Sequence, residues 1–168
     1  AYTPGQIAGT EEFYVEPTKE GIQAMYRDLM QVYAPINLYD EKLRKLAKEL
    51  GPAWVRVSGT WATKTYYDFD GHTNGIVPEG FEFVLTKEQW QGALDFVKEI
   101  GGQILISVAN SFGVHEDGKG AWTPEQAELL WNYTKEQGMT IDYAEFMNEP
   151  NMLNGMCLPE GYMLEDYG

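Results

Sequence analysis

The stretch Gln103-Ile104-Leu105-Ile106-Ser107-Val108-Ala109 is almost continuously apolar. Runs of this kind are typical of strands that are covered on both faces of a parallel sheet. Segments with the helical spacing of apolar residues lie on either side of it, at 86–100 and at 123–137. The alternation of strand and helix predicts an α/β fold with parallel strands.

The same alternation continues outward from this strand. Further strands are predicted at 53–58, where Arg56 is the only charged residue, at 12–16, and from Thr140 up to Asn148. A helix is predicted at 20–33, with a long loop that contains one helical turn as the alternative, and residues 59–85 are predicted to form one long loop. Three helices have recognisable ends. One begins at Asp40 and ends at Gly51-Pro52, and a second begins with the capping pair Thr86 and Gln89 and ends at Gly101-Gly102. The third begins at Thr123-Pro124 and ends at Gly138.

The predicted loops before the helices are long, and those after the helices are short. In a parallel barrel, the loops that follow the strands build the functional site. This asymmetry places four groups of residues on one predicted functional face: Glu16, Gly59-Thr60-Trp61, Asn110-Ser111-Phe112 and Asn148-Glu149.

Composition excludes several classes of partner and site. The 26 acidic and 12 basic residues give a net charge of −14, which disfavours nucleic acid and anionic membranes. No apolar run approaches the roughly 20 residues of a membrane span. The single cysteine, Cys157, allows no intrachain disulfide and no zinc motif. The adjacent residues His115-Glu116-Asp117 cannot all point at one ion, so neither a metal nor a cofactor is expected.

Arg56 is the most unusual residue of the predicted strands. A buried arginine is costly unless a carboxylate pairs with it. Side chains alternate along a strand, so Trp54, Arg56 and Ser58 share one face, and Glu145 shares a face with Glu149. Glu145 and Glu149 are the candidate partners of Arg56. We predict an ion pair between Arg56 and Glu145, which is either purely structural or an electrostatic frame that tunes Glu149.

The run from Thr140 to Asn151 ends a predicted strand in Asn148-Glu149-Pro150-Asn151. A carboxylic acid at this position leaves a rigid element just where the chain turns. It can be held at a fixed point over a sugar, and the neighbouring asparagine can hydrogen-bond a hydroxyl group.

With these residues, the chain resembles the catalytic domain of the heparanase and β-glucuronidase family, glycoside hydrolase family 79. The resemblance is carried by residues 43–47 leading to 51–60, by 104–110, by 126–138 and by 143–151. The last of these is similar to the family's Trp-Glu-Leu-Gly-Asn-Glu-Pro-Asn run. Met147 and Ser58 stand where the family usually has glycine.

The resemblance implies both a fold and a set of roles. The chain would be a single, incomplete domain over residues 1–168, the first half of a TIM-type (β/α)₈ barrel with about four βα units. Glu149 matches the general acid/base and Asn148 matches the residue that binds the sugar 2-hydroxyl group. Glu16, Thr60 and Asn110 fall where substrate contacts are expected. No residue of the chain matches the second carboxylate, the nucleophile of a retaining mechanism.

Two further residues are candidates for carbohydrate contact from their positions alone. Trp61 lies in a loop on the predicted functional face and could stack on a sugar, or it could simply pack within the loop. His115 could contact a sugar carboxylate. Arg56 and Glu145 would support the site.

The expected partner is a carbohydrate. A half barrel exposes strand edges and its inner face, so a second copy or a missing C-terminal half is also expected. Retaining hydrolysis of a β-linked glycoside, such as a β-glucuronide, is the leading hypothesis, and the chain alone is expected to be inactive because it lacks the nucleophile. The alternative is a non-catalytic carbohydrate-binding or assembly domain. Because the chain starts without methionine, either a removed signal or a cut chain is conceivable, and an extracellular or periplasmic location is favoured.

Overall fold

The structure of the protein is a computed structural model that describes residues 36–151 and 157–166. The predicted strand at 12–16, the predicted helix at 20–33 and Glu16 lie outside these residues. The chain divides after Ile36, and the following account concerns the part from Asn37 onward. This part is a mixed α/β structure with parallel strands, as predicted. Its described helices are all too short or too polar to cross a membrane.

The elements alternate along the chain. They are α1 (Glu41–Leu50), β1 (Trp54–Val57), α2 (Thr60–Thr63), β2 (Thr65–Asp68), β3 (Phe83–Thr86), α3 (Lys87–Ile100), β4 (Gln103–Ser107), α4 (Glu125–Glu136) and β5 (Tyr143–Glu145). Short 3₁₀ turns occur at Phe112–Val114, Glu116–Gly118 and Leu164–Asp166.

Local sequence signals account for most helix ends. The Asp40 side chain accepts a hydrogen bond from a backbone N–H and caps α1, and Thr86 with Gln89 forms the predicted capping box of α3. Gly101 ends α3 in the left-handed conformation, with φ of 67°. These predictions are confirmed because each of them depends only on residues within one turn of the helix end.

The predicted cap of α4 is wrong. Thr123 was expected to cap this helix, but its hydroxyl group donates to the carbonyl oxygen of Val114 at 2.9 Å. Pro124 occupies the capping position and the helix begins at Glu125. A contact nine residues away in the sequence has therefore taken the side chain that the local pattern assigned to the helix.

Three strands form a parallel sheet in the order β1-β4-β5. Ile104 and Ile106 of the central strand are buried on one face, where Trp90 and Leu94 of α3 and Leu130 of α4 complete the core. On the opposite face, Trp54 and Tyr143 are more than half exposed and their rings lie 4.5 Å apart. The apolar run that was expected to be covered on both faces is thus covered mainly on one.

The prediction that residues 59–85 form one long loop is wrong. This segment is partly regular. It contains α2 and two strands, β2 and β3, which pair in parallel as a separate two-stranded sheet. The carbonyl oxygen of Lys64 accepts hydrogen bonds from the backbone N–H groups of Glu82 and Phe83 and starts this pairing. Each strand has four residues, too few for a periodicity, and the glycine-rich segment between them signals only turns.

Helix α1 is held by polar contacts. It contains no buried residue, and Leu46 and Leu50 of its apolar face are exposed. Arg44 forms an ion pair with Glu99 of α3, and Lys48 contacts the same carboxylate at 3.0 Å. Two cations of α1 therefore join it to α3.

Candidate functional site

The carboxyl ends of β1, β4 and β5 lie at one edge of the sheet because the three strands are parallel. At this edge Oε1 of Glu145 accepts hydrogen bonds from Arg56 Nη2, from Ser58 Oγ at 2.6 Å and from Ser107 Oγ at 2.5 Å. The predicted ion pair between Arg56 and Glu145 is confirmed. One carboxylate oxygen therefore ties the ends of all three strands together.

Glu145 is held in its ionised form. Burial alone would raise the pKa of its carboxyl group, but hydrogen bonds from Ser107, Ser58 and Arg56 outweigh burial and bring that pKa below its ordinary value. A carboxylate with this environment is an anchor for neighbouring donors. It is poorly suited to protonating a leaving group near neutral pH.

The lowered pKa of Glu145 predicts an acid-sensitive contribution to stability. A group of this kind stabilises the fold above its unfolded pKa, near the ordinary value of 4.5, and the contribution is lost as pH falls through the lower folded pKa. We expect Glu145→Gln to lower the free energy of unfolding by about 1 kcal/mol at pH 7, a figure reduced for solvent screening. Urea unfolding should show the difference disappearing below roughly pH 4.

Glu79→Gln, at an exposed loop position, is the matched control for this series. It removes the same charge without touching the three strand ends. An equal loss of stability in both variants, or a Glu145→Gln deficit that persists at pH 3, would contradict the anchoring role.

Asn148 and Glu149 follow directly on this cluster. Asn148 is buried, and its Oδ1 accepts a hydrogen bond from Arg56 Nη2 at 2.8 Å. Its Nδ2 donates to Glu149 Oε2 at 3.3 Å. The same guanidinium group therefore holds both Glu145 and Asn148, and Asn148 in turn contacts the exposed carboxylate of Glu149.

Glu149 does not continue the strand. Strand β5 ends at Glu145, and Glu149 has a φ of 49°, in the left-handed region that residues other than glycine seldom adopt. The predicted strand, which runs up to Asn148, is therefore too long, and strand alternation does not apply to Glu149. The orientation of Glu149 depends on the turn after β5, which strand periodicity does not describe.

A second polar cluster surrounds Asn110, which is fully buried just after β4. Its Oδ1 lies 3.1 Å from His115 Nε2, and its Nδ2 lies 3.4 Å from the Tyr162 hydroxyl group and 3.5 Å from Met147 Sδ. His115 Nδ1 donates to the carbonyl oxygen of Gly120 at 2.8 Å. Met147, beside Asn148 in the chain, thus joins this cluster to the end of β5.

Helix α2 clamps the end of β4. The backbone N–H groups of Asn110 and Ser111 both donate to the carbonyl oxygen of Thr63, at 2.9 and 3.0 Å. Thr60 opens this helix and is partly buried, but within the described residues no hydrogen bond joins it to Asn110, Asn148 or Glu149. Of the residues on the predicted functional face, Asn110 and Asn148 each belong to a hydrogen-bonded cluster. Thr60 is linked to this face through α2, whose Thr63 binds the backbone of Asn110 and Ser111.

The ring of Trp61 contacts the protein itself. Its centroid lies 4.5 Å from that of Phe83 in an edge-on arrangement, and 39% of the residue is exposed. This contact is the loop-packing role that was weighed against sugar stacking. A part of the ring is nevertheless accessible at the surface.

A cavity of about 450 Å³ lies beside His115. Its lining includes His115, Lys119, Trp122, Phe146, Tyr162 and Asp166. Trp122 is fixed by a hydrogen bond from Nε1 to the carbonyl oxygen of Ala109 at 3.0 Å, and Lys119 approaches Glu160 at 3.5 Å. Tyr162 was missed by sequence reasoning because the segment 157–166 carries no periodic pattern or motif.

No metal is predicted at His115-Glu116-Asp117, but a different group of possible metal ligands lies elsewhere in the chain. Over 36–151 and 157–166, the three ligand atoms that come within 4.8 Å of one another belong to Asp68, Asp70 and His72. These groups already bind each other and the adjacent backbone, with Gly71 N donating to Asp68 at 2.9 Å and His72 paired with Asp70. We assign no metal to them.

No model of a protein family matches the chain, and no curated protein is significantly similar to it.

Proposed function

We propose that the chain provides the acid/base side of a retaining glycoside hydrolase acting on a β-linked glycoside, with β-glucuronides as the first substrates to test. The observation that carries the proposal is the placement of Asn148 and Glu149. They follow the last strand of a parallel sheet, Arg56 holds Asn148 at 2.8 Å, and Glu149 is exposed beside it.

Each residue has a role in the proposed reaction. Glu149 protonates the departing glycosidic oxygen and, in the second step, removes a proton from the attacking water. Asn148 keeps one amide hydrogen for a substrate hydroxyl group while its other polar contacts hold it in place. Arg56 is a positioning residue that orients Asn148, and Glu145 keeps the guanidinium group fixed.

The second carboxylate comes from outside the described residues in this proposal. Glu145 is ionised, but its Oε1 already accepts from three donors, so we do not assign it as the nucleophile. Polypeptide that completes a barrel, or a second copy of the chain, would supply the missing group about 5 Å from Glu149.

We further propose that the sheet is the first half of a TIM-type barrel. Its strands β1, β4 and β5 lie side by side in the order in which they occur in the chain, with β2 and β3 in a separate sheet. Within the described part of the chain, helices cover the face that bears Ile104 and Ile106. The other face carries Arg56 and Glu145 together with the exposed rings of Trp54 and Tyr143. In a closed barrel this second face would be the packed interior.

A non-catalytic carbohydrate-binding domain is the second candidate. The cavity beside His115 favours it, because Trp122 and Tyr162 provide aromatic surface with polar groups around them. A sugar could bind there without a second carboxylate.

Hydrolysis and binding assays separate the two candidates. The protein expressed from its complete reading frame is incubated with 4-nitrophenyl β-D-glucuronide, and binding of glucuronate is followed separately by calorimetry. The glycosidase proposal expects release of nitrophenolate. Binding without hydrolysis would support the binding domain and contradict the enzyme, and absence of both would overturn both.

A further inference from the structure

A second cavity, of about 350 Å³, lies between the end of β2 and helix α4. It shares no lining residue with the cavity beside His115. Its aromatic walls are Tyr66, Phe69 and Tyr133. Its polar rim consists of Asp70, His72, Lys87, Asn132 and Glu136. The volume falls in the range of small-molecule sites, and the mixture of rings and polar groups restricts the chemistry of a ligand.

The aromatic walls are held in place before any ligand arrives. Phe69 lies 5.0 Å from Tyr133, and Tyr66 lies edge-on to Phe81 at 5.1 Å, both measured between ring centroids. The hydroxyl group of Tyr133 donates to Gln91 Oε1 at 2.5 Å. Preorganised walls lose little conformational entropy when a ligand binds.

The rim of the cavity carries charges of both signs. His72 Nδ1 lies 2.5 Å from the Asp70 carboxylate. The hydrogen bond between the two groups raises the pKa of His72 and lowers the pKa of Asp70. Lys87 Nζ lies over the Tyr133 ring, 5.3 Å from its centroid, and Glu136 supplies a second carboxylate. Asp68, whose Oδ1 lies 3.3 Å from His72 Nδ1, adds a third carboxylate beside Asp70 and Glu136, and this disfavours an anionic ligand.

We infer that this cavity binds a neutral sugar ring of an oligosaccharide, away from Glu149. Sugar hydroxyl groups both donate and accept, and the rim offers both kinds of partner in Asn132, Asp70 and the Tyr66 hydroxyl group. The C–H faces of a pyranose suit aromatic walls. A purely apolar ligand would leave the rim groups without partners, which is unfavourable.

Binding at this cavity is tested with cellotriose, a neutral β-linked trisaccharide, titrated into ¹⁵N-labelled protein. We expect amide shift changes concentrated at 66–72 and 129–136. Asn132→Ala and Tyr66→Leu should each weaken binding by about fivefold, through a lost hydrogen bond and a lost aromatic contact. Asn132 is exposed, so its variant keeps the inference testable if Tyr66→Leu fails to fold.

Two controls keep this inference separate from the proposed glycosidase activity. Lys135→Ala, exposed on the same helix but outside the cavity, should bind cellotriose as the wild type does. Glu149→Gln should also leave this binding unchanged. Shift changes that avoid the cavity, unchanged affinity in both cavity variants, or a response to glucuronate but none to cellotriose would overturn the inference.

Discussion

Glu149→Gln is expected to hydrolyse 4-nitrophenyl β-D-glucuronide about 10³-fold more slowly than the wild type, since general acid–base catalysis typically contributes 10²- to 10⁴-fold. Glutamine keeps the shape of the side chain and can still accept the hydrogen bond from Asn148, which is 3.3 Å long in the wild type. Only the ability to give and take a proton is lost. The measurement is the release of nitrophenolate under saturating substrate.

Azide distinguishes an acid/base from a residue that merely supports the site. Nitrophenolate departs without protonation, so the variant should be slow at the second step, where water needs a base. Azide attacks the glycosyl intermediate without giving up a proton, and the expected product is a glycosyl azide at a restored rate. Glu79→Gln, in an exposed loop, should retain full activity. Full activity of Glu149→Gln, or a loss that azide does not restore, would contradict the assignment.

Gly80→Ala is expected to destabilise the fold by about 3 kcal/mol or more, which approaches the whole stability of a marginal domain. A Cβ atom at this position would lie 2.4 Å from Gly113 Cα and 2.5 Å from Gly113 N. Both are backbone atoms, so no side-chain rotation can relieve the overlap. The residue also has a φ of 89°, which adds strain for any side chain.

Gly75→Ala isolates the backbone strain from the overlap. Gly75 has a similar φ of 79°, but a Cβ atom there would meet nothing within 4 Å. Its expected cost is about 1 kcal/mol in urea unfolding. Equal costs for the two variants would contradict the close approach of Gly80 to Gly113.

The overlap between an alanine at position 80 and Gly113 would also disturb the candidate site. Gly113 belongs to the 3₁₀ turn Phe112–Val114, immediately before His115. A displaced turn would move the His115 ring away from Asn110; in the wild type, His115 Nε2 lies 3.1 Å from Asn110 Oδ1. If Gly80→Ala remains folded at low temperature, the ¹H–¹⁵N signals of 110–115 should therefore shift more than those of α3.

Several parts of the site could be predicted from the sequence because they depend on alternation or on charge. Arg56 stands alone among apolar residues of its strand, and the cost of an unpaired buried charge predicted a carboxylate opposite it. Glu145 is that carboxylate, on β5, which is two places from β1 in the order of the sheet. The pair is present, but the expected burial is wrong, since 49% of the Arg56 side chain is exposed. Sequence reasoning did not find the two serines that complete the cluster, since a serine at a strand end carries no comparable penalty.

Other parts depended on contacts between distant segments. Strands β2 and β3 pair across the loop between them, and Tyr162 reaches Asn110 from 52 residues away. The paired Asp70 and His72 border a cavity only because α4 packs against β2. Short elements have too few residues for a periodicity, so neither the second sheet nor this cavity could be predicted.

By itself, the sequence determined the parallel α/β alternation, the caps of α1 and α3 and the pairing of Arg56 with Glu145. Hydrophobic periodicity and capping act through nearest neighbours or along one strand, and a lone charge in an apolar strand calls for a carboxylate even when that carboxylate comes from a distant strand. Only the tertiary structure decided which face of the sheet is covered, how Asn148 is held and where Glu149 points. Those features arise where the chain leaves regular structure, and there side-chain position depends on packing between segments that no local pattern records.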